Sequence, residues 1–407
     1  MNDSIKKFLD ENIDKTVKFT PESKGHLIGL PYPYTTPCVK DTFQEIYYWD
    51  TYFTNVGLLL WGKTDYVKNN IENMFYLVEK YGFMPNGSRT FYLNRSQPPF
   101  LSQMVRDLFE ETGDKQWLLR AYNVLKKEYD FWQSKRVTEN GLNGYTGYEI
   151  WDSIFESNYK YFARRTGYCP DGEINYDLQK EIYLATVSVC ESGWDCNSRF
   201  KAEGHYYNAI DLNSLIFGIE ENMRYFSSVL ELGEEEFWGN RKSERREKMQ
   251  TLWNKDRELF MDYNFKTNEF SKYATVASFY PLYTKVATNE QAEKTVELFD
   301  SLNLEYGISA GEPDPEWSCQ WDYPNVWAPL QFVTYKALMN YGYKDKAKTV
   351  ALKYVKLVED NFERTGNLWE KYDGNTGEKA ALEYTAAPMV GWTAGVYIFF
   401  NKELGNI

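Results

Sequence analysis

Histidine is almost missing from this chain: His26 and His205 are the only two in 407 residues. No motif surrounds either, so both read as ordinary histidines, and a histidine-rich metal site or a Ser-His-Asp triad has no support. Cysteine is scarce and odd in number (Cys38, Cys169, Cys190, Cys196, Cys319), with no C-x-x-C pair. A disulfide framework is therefore not expected, and buried free thiols are. Basic charge is in deficit: 46 Lys and Arg against 59 Asp and Glu leave a net charge of −13. That balance excludes the basic face of a nucleic-acid binder and the polybasic patch of a membrane-surface protein. Long apolar runs are absent; stretches such as 56–61 fall far short of the roughly 18 residues of a membrane span. The N-terminus, MNDSIKKFLDE, is charged and carries no apolar run, so no secretory signal is expected and the chain is expected in the cytoplasm. With no metal motif and no cofactor motif, any catalysis here is expected to run on carboxylates.

Aromatic residues, by contrast, are abundant: 34 Tyr, 25 Phe and 13 Trp make 18% of the chain. Such a surplus serves either a bulky core or a cleft whose flat faces stack on sugar rings. Apolar residues at helical spacing run through Tyr66, Val67, Ile71, Met74, Phe75 and Val78. The same pattern runs from Trp117 to Trp132 and from Ala347 to Val358. Each of these helices follows an apolar helix and a short turn, which is the grammar of repeated helical hairpins. Further helices are expected near 99–112, 176–191, 206–231, 234–260, 285–301, 325–341 and 386–401, with a short strand at 90–93. Eleven or twelve helices in such hairpins predict a closed or curved helical array. No low-complexity linker divides the chain, so a single domain spanning 1–407 is expected, with 1–36 as an N-terminal extension packed on it. The connections at 83–99, 192–200 and 307–325 are long, polar and aromatic, the usual place for functional residues.

The dipeptide Trp-Asp occurs four times, at Trp49-Asp50, Trp151-Asp152, Trp194-Asp195 and Trp321-Asp322, where ordinary composition gives about one. An indole beside a carboxylate suits carbohydrate: a stacking face, and a group that accepts from vicinal hydroxyls or donates a proton. At this point the sequence resembles the trehalase family of glycoside hydrolases. Gln320-Trp-Asp-Tyr-Pro-Asn-Val-Trp-Ala-Pro329 matches one family signature nearly position for position. Glu45-Ile-Tyr-Tyr-Trp-Asp-Thr-Tyr52 matches half of the other, and the segment from Pro85 to Pro99 is similar to the family's sugar-contacting loop. Glu191-Ser-Gly-Trp-Asp195, Trp369-Glu-Lys-Tyr-Asp373, Glu383-Tyr384 and Gly391-Trp-Thr393 follow in family order. The resemblance implies an (α/α)6 barrel and an inverting hydrolase acting on a small α-glucoside, above all α,α-trehalose.

On those matches, Asp195 is expected as general acid and Glu370 as general base. The first signature implies sugar contacts at Phe43, Tyr47, Trp49 and Asp50; the loop after it implies Asn86, Arg95 and Gln97. Arg164, Gly193, Trp194, Trp321, Asp322, Trp327, Glu383 and Trp392 complete the expected binding set. Asp50 and Glu191 are candidates to keep Asp195 protonated, and Arg164, Arg165 or Lys371 to keep Glu370 ionised. Two family positions differ: Thr42 stands for an arginine, and Thr166 for a glutamate beside Arg164. Lys40 or Arg165 is expected to compensate if either reaches the site. The alternatives are an α-glycosidase for another small α-glycoside, such as glucosyl- or mannosyl-glycerate, and a non-catalytic carbohydrate-binding relative. A sugar epimerase is disfavoured by the lack of histidine. The expected partner is a small carbohydrate, with no cofactor, metal, nucleic acid or membrane, and the chain is expected to be a monomer or a weak homo-oligomer.

Overall fold

The computed structural model describes residues 1–145, 176–201 and 203–407. In chain order, α1 (Asp3–Asn12) precedes the hairpins α2 (Tyr48–Leu60) with α3 (Thr64–Tyr81) and α4 (Leu101–Thr112) with α5 (Lys115–Lys135). Next come α6 (Tyr176–Glu191) and the pair α7 (Ile210–Leu230) and α8 (Glu235–Met249). The one-turn α9 (Tyr280–Tyr283) leads to α10 (Asn289–Leu302), and α11 (Ala328–Asn340) to α12 (Lys344–Thr365), before the final α13 (Gly391–Glu403).

The helices α2, α4, α7, α9, α11 and α13 touch one another in that order, and α13 returns to α2. They form the inner ring of an (α/α)6 barrel. Burial separates the layers. In α13, 11 of 13 residues are buried, and in α11, 10 of 13; in the outer helix α12, 8 of 22 are. A helix apolar on every side belongs inside, and one with a single apolar stripe belongs on the rim. The N-terminal helix α1 takes the outer place beside α13. Its Ile5 and Leu9 are buried, and the Asn2 N–H donates to the Tyr397 hydroxyl at 3.3 Å.

Two expectations about local structure are corrected. Residues 90–93 are not a strand: Thr90–Tyr92 form a 3-10 turn, in which the Leu93 N–H donates back to the Thr90 carbonyl at 3.2 Å. The helix expected over 234–260 stops at Met249. Beyond it Trp253–Asn254 pairs with Leu259–Phe260, and Asn254 Oδ1 accepts from the Asp256 and Arg257 N–H groups. That Asx turn offers the backbone an alternative to helix.

The ring closes where α2 meets α13, and it closes on glycine. A Cβ built on Gly57 would lie 2.4 Å from Gly395 Cα, and one on Gly395 would lie 2.0 Å from the Phe53 carbonyl oxygen. Only side chains of zero length let these backbones touch. Gly395→Ala is therefore expected to force α2 and α13 apart and to lower stability by about 1–3 kcal/mol or more, read from the chemical-denaturation midpoint. Gly239→Ala, where the nearest atom to a new Cβ is Arg224 Cδ at 3.9 Å, is the control and should be neutral or stabilising.

Candidate active site

Three of the inner helices, α2, α11 and α13, present their N-terminal ends to one cavity of about 210 Å³. Asp50 lies in the first turn of α2, Trp327 immediately before α11, and Trp392 in the first turn of α13. Asp195 and Glu370 both line this cavity, together with Phe43, Tyr47, Trp49, Asp50, Asn86, Arg95, Gln97, Gly193, Trp321, Trp327 and Trp392. These residues are up to 349 positions apart in sequence, from Phe43 to Trp392 (392 − 43).

Tryptophan builds the floor. Trp321 and Trp327 stack with centroids 3.8 Å apart and planes 3° from parallel. Trp392 stands edge-on to both, and Trp49 leans on Trp321 at 5.4 Å. Indole N–H groups tie this floor to backbone: Trp327 Nε1 donates to the Gln320 carbonyl at 2.9 Å, and Trp392 Nε1 to the Glu370 carbonyl at 3.0 Å. A rigid aromatic floor held in this way offers its faces to apolar C–H surface.

Glu370 is placed by a two-stranded ribbon in which Asn325–Trp327 runs antiparallel to Lys371–Asp373, with Trp327 opposite Lys371. The Tyr384 hydroxyl donates to Glu370 Oε1 at 2.7 Å, and the Ala387 N–H reaches Oε2 at 3.4 Å. Burial raises the Glu370 pKa, opposed by Tyr384, by the adjacent Lys371 charge and by Ala387, with the Asp195 charge adding to the rise. Lys371 Nζ also lies over the Tyr384 ring, 3.7 Å from its centroid, which holds phenol and cation together above the carboxylate.

Asp195 sits at φ +36°, in the sparsely populated left-handed region. Gly193, two residues earlier, has φ +74°, and a Cβ there would lie 2.8 Å from the Trp49 ring. The segment must therefore pass directly over the indole. Asp50 faces the same space. Burial first, then the charges of Glu370 and Asp195, push its pKa up to about 8, against a hydrogen bond from its own backbone N–H. At neutral pH Asp50 therefore keeps its proton. On the far wall Arg95 Nε donates to Asn86 Oδ1 at 2.9 Å, and Gln97 Oε1 accepts from the Trp49 N–H at 3.3 Å.

Three expected residues do not line the cavity. Trp194 is fully buried behind it, packed against Trp321 and against the Arg199 guanidinium at 4.9 Å. Asp322 turns away to accept from the Ser198 N–H at 2.7 Å and the Cys319 N–H at 2.9 Å; it clamps two loops instead of a ligand. Glu383 is exposed, with φ +66°, and that turn sends its neighbour Tyr384 inward in its place. Arg164, Arg165 and Thr166 lie outside the described residues. The Glu191 carboxylate takes two bonds from Arg136, each 2.9 Å, and a third from the Ser96 N–H at 2.7 Å. Thr42 and Lys40 are exposed, with Lys40 4.0 Å from Asp41, and neither lines the cavity.

Tyr92, Cys190, Gln320, Tyr384 and Met389 line it without having been singled out. Gln320 and Tyr384 stand inside motifs already quoted, so each was one residue from being named. Cys190 and Met389 belong to no chemical pattern that marks them.

Comparison with known proteins places these observations in a family. The family model described as Trehalase matches residues 1–405. The periplasmic trehalase of Pseudomonas aeruginosa is 33% identical over 93% of this chain and 72% of its own. That of Escherichia coli is 32% identical over 92% of this chain and 69% of its own. Neutral trehalase Nth1 from Saccharomyces cerevisiae superposes with a TM-score of 0.78 at 28% identity, over 95% of this chain and 76% of that one. A GH63 mannosylglycerate hydrolase from Thermus thermophilus shares the fold, with a TM-score of 0.67 at 15% identity over 97% and 99%. The expected cytoplasmic location is overturned by the bacterial relatives, whose names place them in the periplasm. Matched along its whole length in sequence and superposable in backbone on a trehalase, the chain belongs to the trehalase family.

Proposed function

We propose that the chain, acting as one catalytic unit, hydrolyses α,α-trehalose to two glucose molecules with inversion at one anomeric carbon. The periplasm named for its bacterial relatives is the setting we assign to it. The supporting observation is that Asp195 and Glu370 share one tryptophan-floored cavity in a chain of this family. Glu370 takes a proton from a water as its oxygen attacks the anomeric carbon. Asp195 gives a proton to the glycosidic oxygen as the C–O bond breaks, and one glucose leaves. Inversion needs the two carboxyls roughly 6.5–9.5 Å apart so that the water fits. The Tyr384 hydroxyl bonds Oε1 and the Ala387 N–H reaches Oε2, which together orient the Glu370 carboxylate for that water. Trp321, Trp327 and Trp392 offer faces for the sugar rings, and Asn86, Arg95 and Gln97 offer polar tips for hydroxyls.

Early-time NMR of trehalose hydrolysis should show α- and β-glucose released in equal amounts. Release of α-glucose alone would mean retention and would exclude this mechanism. Asp195→Asn and Glu370→Gln should each lower kcat by about 10²–10⁴-fold. Asp50 keeps its proton and so can donate to a sugar oxygen, a role an amide N–H can also fill. Asp50→Asn should therefore cost roughly tenfold or less. If Asp50→Asn proved the severe change and Asp195→Asn the mild one, the acid would be Asp50.

Tyr384→Phe removes a donor that favours ionised Glu370. The Glu370 pKa should then rise further, and since the base must be ionised, the acid limb of kcat/KM should move to higher pH. A pH profile with that limb unmoved would place Tyr384 outside the protonation chemistry.

The exposed Thr42, at a family arginine position, favours a second reading in which the leaving group is not glucose. An assay panel of trehalose, glucosylglycerate and mannosylglycerate separates the two: faster turnover of either glycerate than of trehalose would shift the assignment to that substrate.

A further inference from the structure

Cys196 and Cys319 are 123 residues apart in sequence, yet their sulfurs lie 2.8 Å from each other. Each adjoins a cavity residue: Cys196 follows Asp195, and Cys319 precedes Gln320. The segments that carry them are already fixed relative to one another. The Asp322 carboxylate accepts from the Ser198 N–H on one oxygen and from the Cys319 N–H on the other, and Trp194 packs on Trp321 between them. The thiols therefore meet without any element having to move.

We propose that Cys196 and Cys319 form a disulfide under oxidising conditions, stapling the loop that carries Asp195 to the loop that carries Gln320 and Trp321. The oxidant is a second disulfide. One Cys thiolate attacks it, and a mixed disulfide forms as one oxidant thiol leaves. The other Cys thiolate then displaces the second oxidant thiol, so one S–S bond forms, one breaks, and the two cysteine protons end on the released thiols. An oxidising compartment is where such a bond persists.

Among the described residues, Glu383 is the one further Asp, Glu, His or Cys whose ligating atom lies within 4.8 Å of both sulfurs, so a metal ion is the competing occupant. Geometry disfavours it. Two thiolates on a tetrahedral zinc, with Zn–S of about 2.3 Å, stand roughly 3.8 Å apart. The observed 2.8 Å is already inside that distance and on the way to a bond of about 2.05 Å.

The test is a thiol map of the full chain. The purified protein is incubated with oxidised glutathione, denatured in an alkylating agent, digested without reduction and analysed by mass spectrometry. The expected product is one peptide pair joined through Cys196 and Cys319, two hydrogens lighter than the separate peptides and split by dithiothreitol. The oxidised form should melt on the order of 5 °C higher than the reduced form, and Cys319→Ser should abolish that difference. If that variant misfolds, Cys196→Ser serves, and the thiol map of the unaltered chain needs no variant. Alkylation of both residues after oxidation would overturn the proposal. So would a link from either to a different cysteine, or stoichiometric zinc that shields both thiols until a chelator removes it.

Discussion

Backbone contact between Gly57 and Gly395 is the constraint on which the rest of the molecule depends. A ring of six helices has to close somewhere, and here the first and last inner helices approach until a Cβ on either would overlap the other's main chain. The same helices begin at the cavity, α2 with Trp49 and Asp50 and α13 with Trp392. The spacing of those three side chains is therefore set by two glycines within about two turns of them. A larger residue at either position would open the ring and the cavity together, since protein interiors do not absorb added volume locally.

Within that frame the electrostatics are crowded. Asp50, Asp195 and Glu370 share a small cavity over an apolar floor. What touches Glu370 differs from what touches Asp50. Glu370 has Tyr384, Ala387 and Lys371 favouring its charge, whereas Asp50 has its own backbone N–H alone among the influences that favour charge. Other carboxylates nearby are removed from the contest by buried arginines. Arg136 takes Glu191, and Arg199 takes Asp211 and Asp262. These pairs fix loops that carry cavity-lining residues; removing one partner of such a buried pair costs on the order of 3–5 kcal/mol.

The sequence was most legible where burial is one-sided. Helices α3, α5 and α12 lie on the rim and carry a clear apolar stripe, so their spacing announced them. The inner helices α11 and α13 are buried nearly all round, and a helix without a polar face has no period to read. They were expected at 325–341 and 386–401, and they begin three (328 − 325) and five (391 − 386) residues later. The expected site residues on helix ends, Trp49, Asp50, Trp327 and Trp392, all line one pocket. Errors fell on loops, where neighbouring residues face opposite ways and the Trp-Asp pairing loses its meaning: at 194–195 the Asp faces the cavity, and at 321–322 the Trp does. The meeting of Cys196 with Cys319 left no trace in sequence, because tertiary contact alone joins them.

Strain in the acid loop connects these points. Phe43 (φ +49°), Asp195 (φ +36°) and Glu383 (φ +66°) all hold left-handed backbone, a state costing of order 1–3 kcal/mol that persists only where surroundings over-determine it. For Asp195 those surroundings are identifiable. Upstream, Gly193 is pressed against Trp49. Downstream, the Ser198 N–H is held by Asp322, and the fully buried Arg199 is held by two aspartates. The loop is thus fixed on both sides of one residue, which leaves its carboxyl little choice of direction. A side chain fixed in this way needs no reorganisation to meet a ligand, and the buried ion pairs around the segment supply that rigidity.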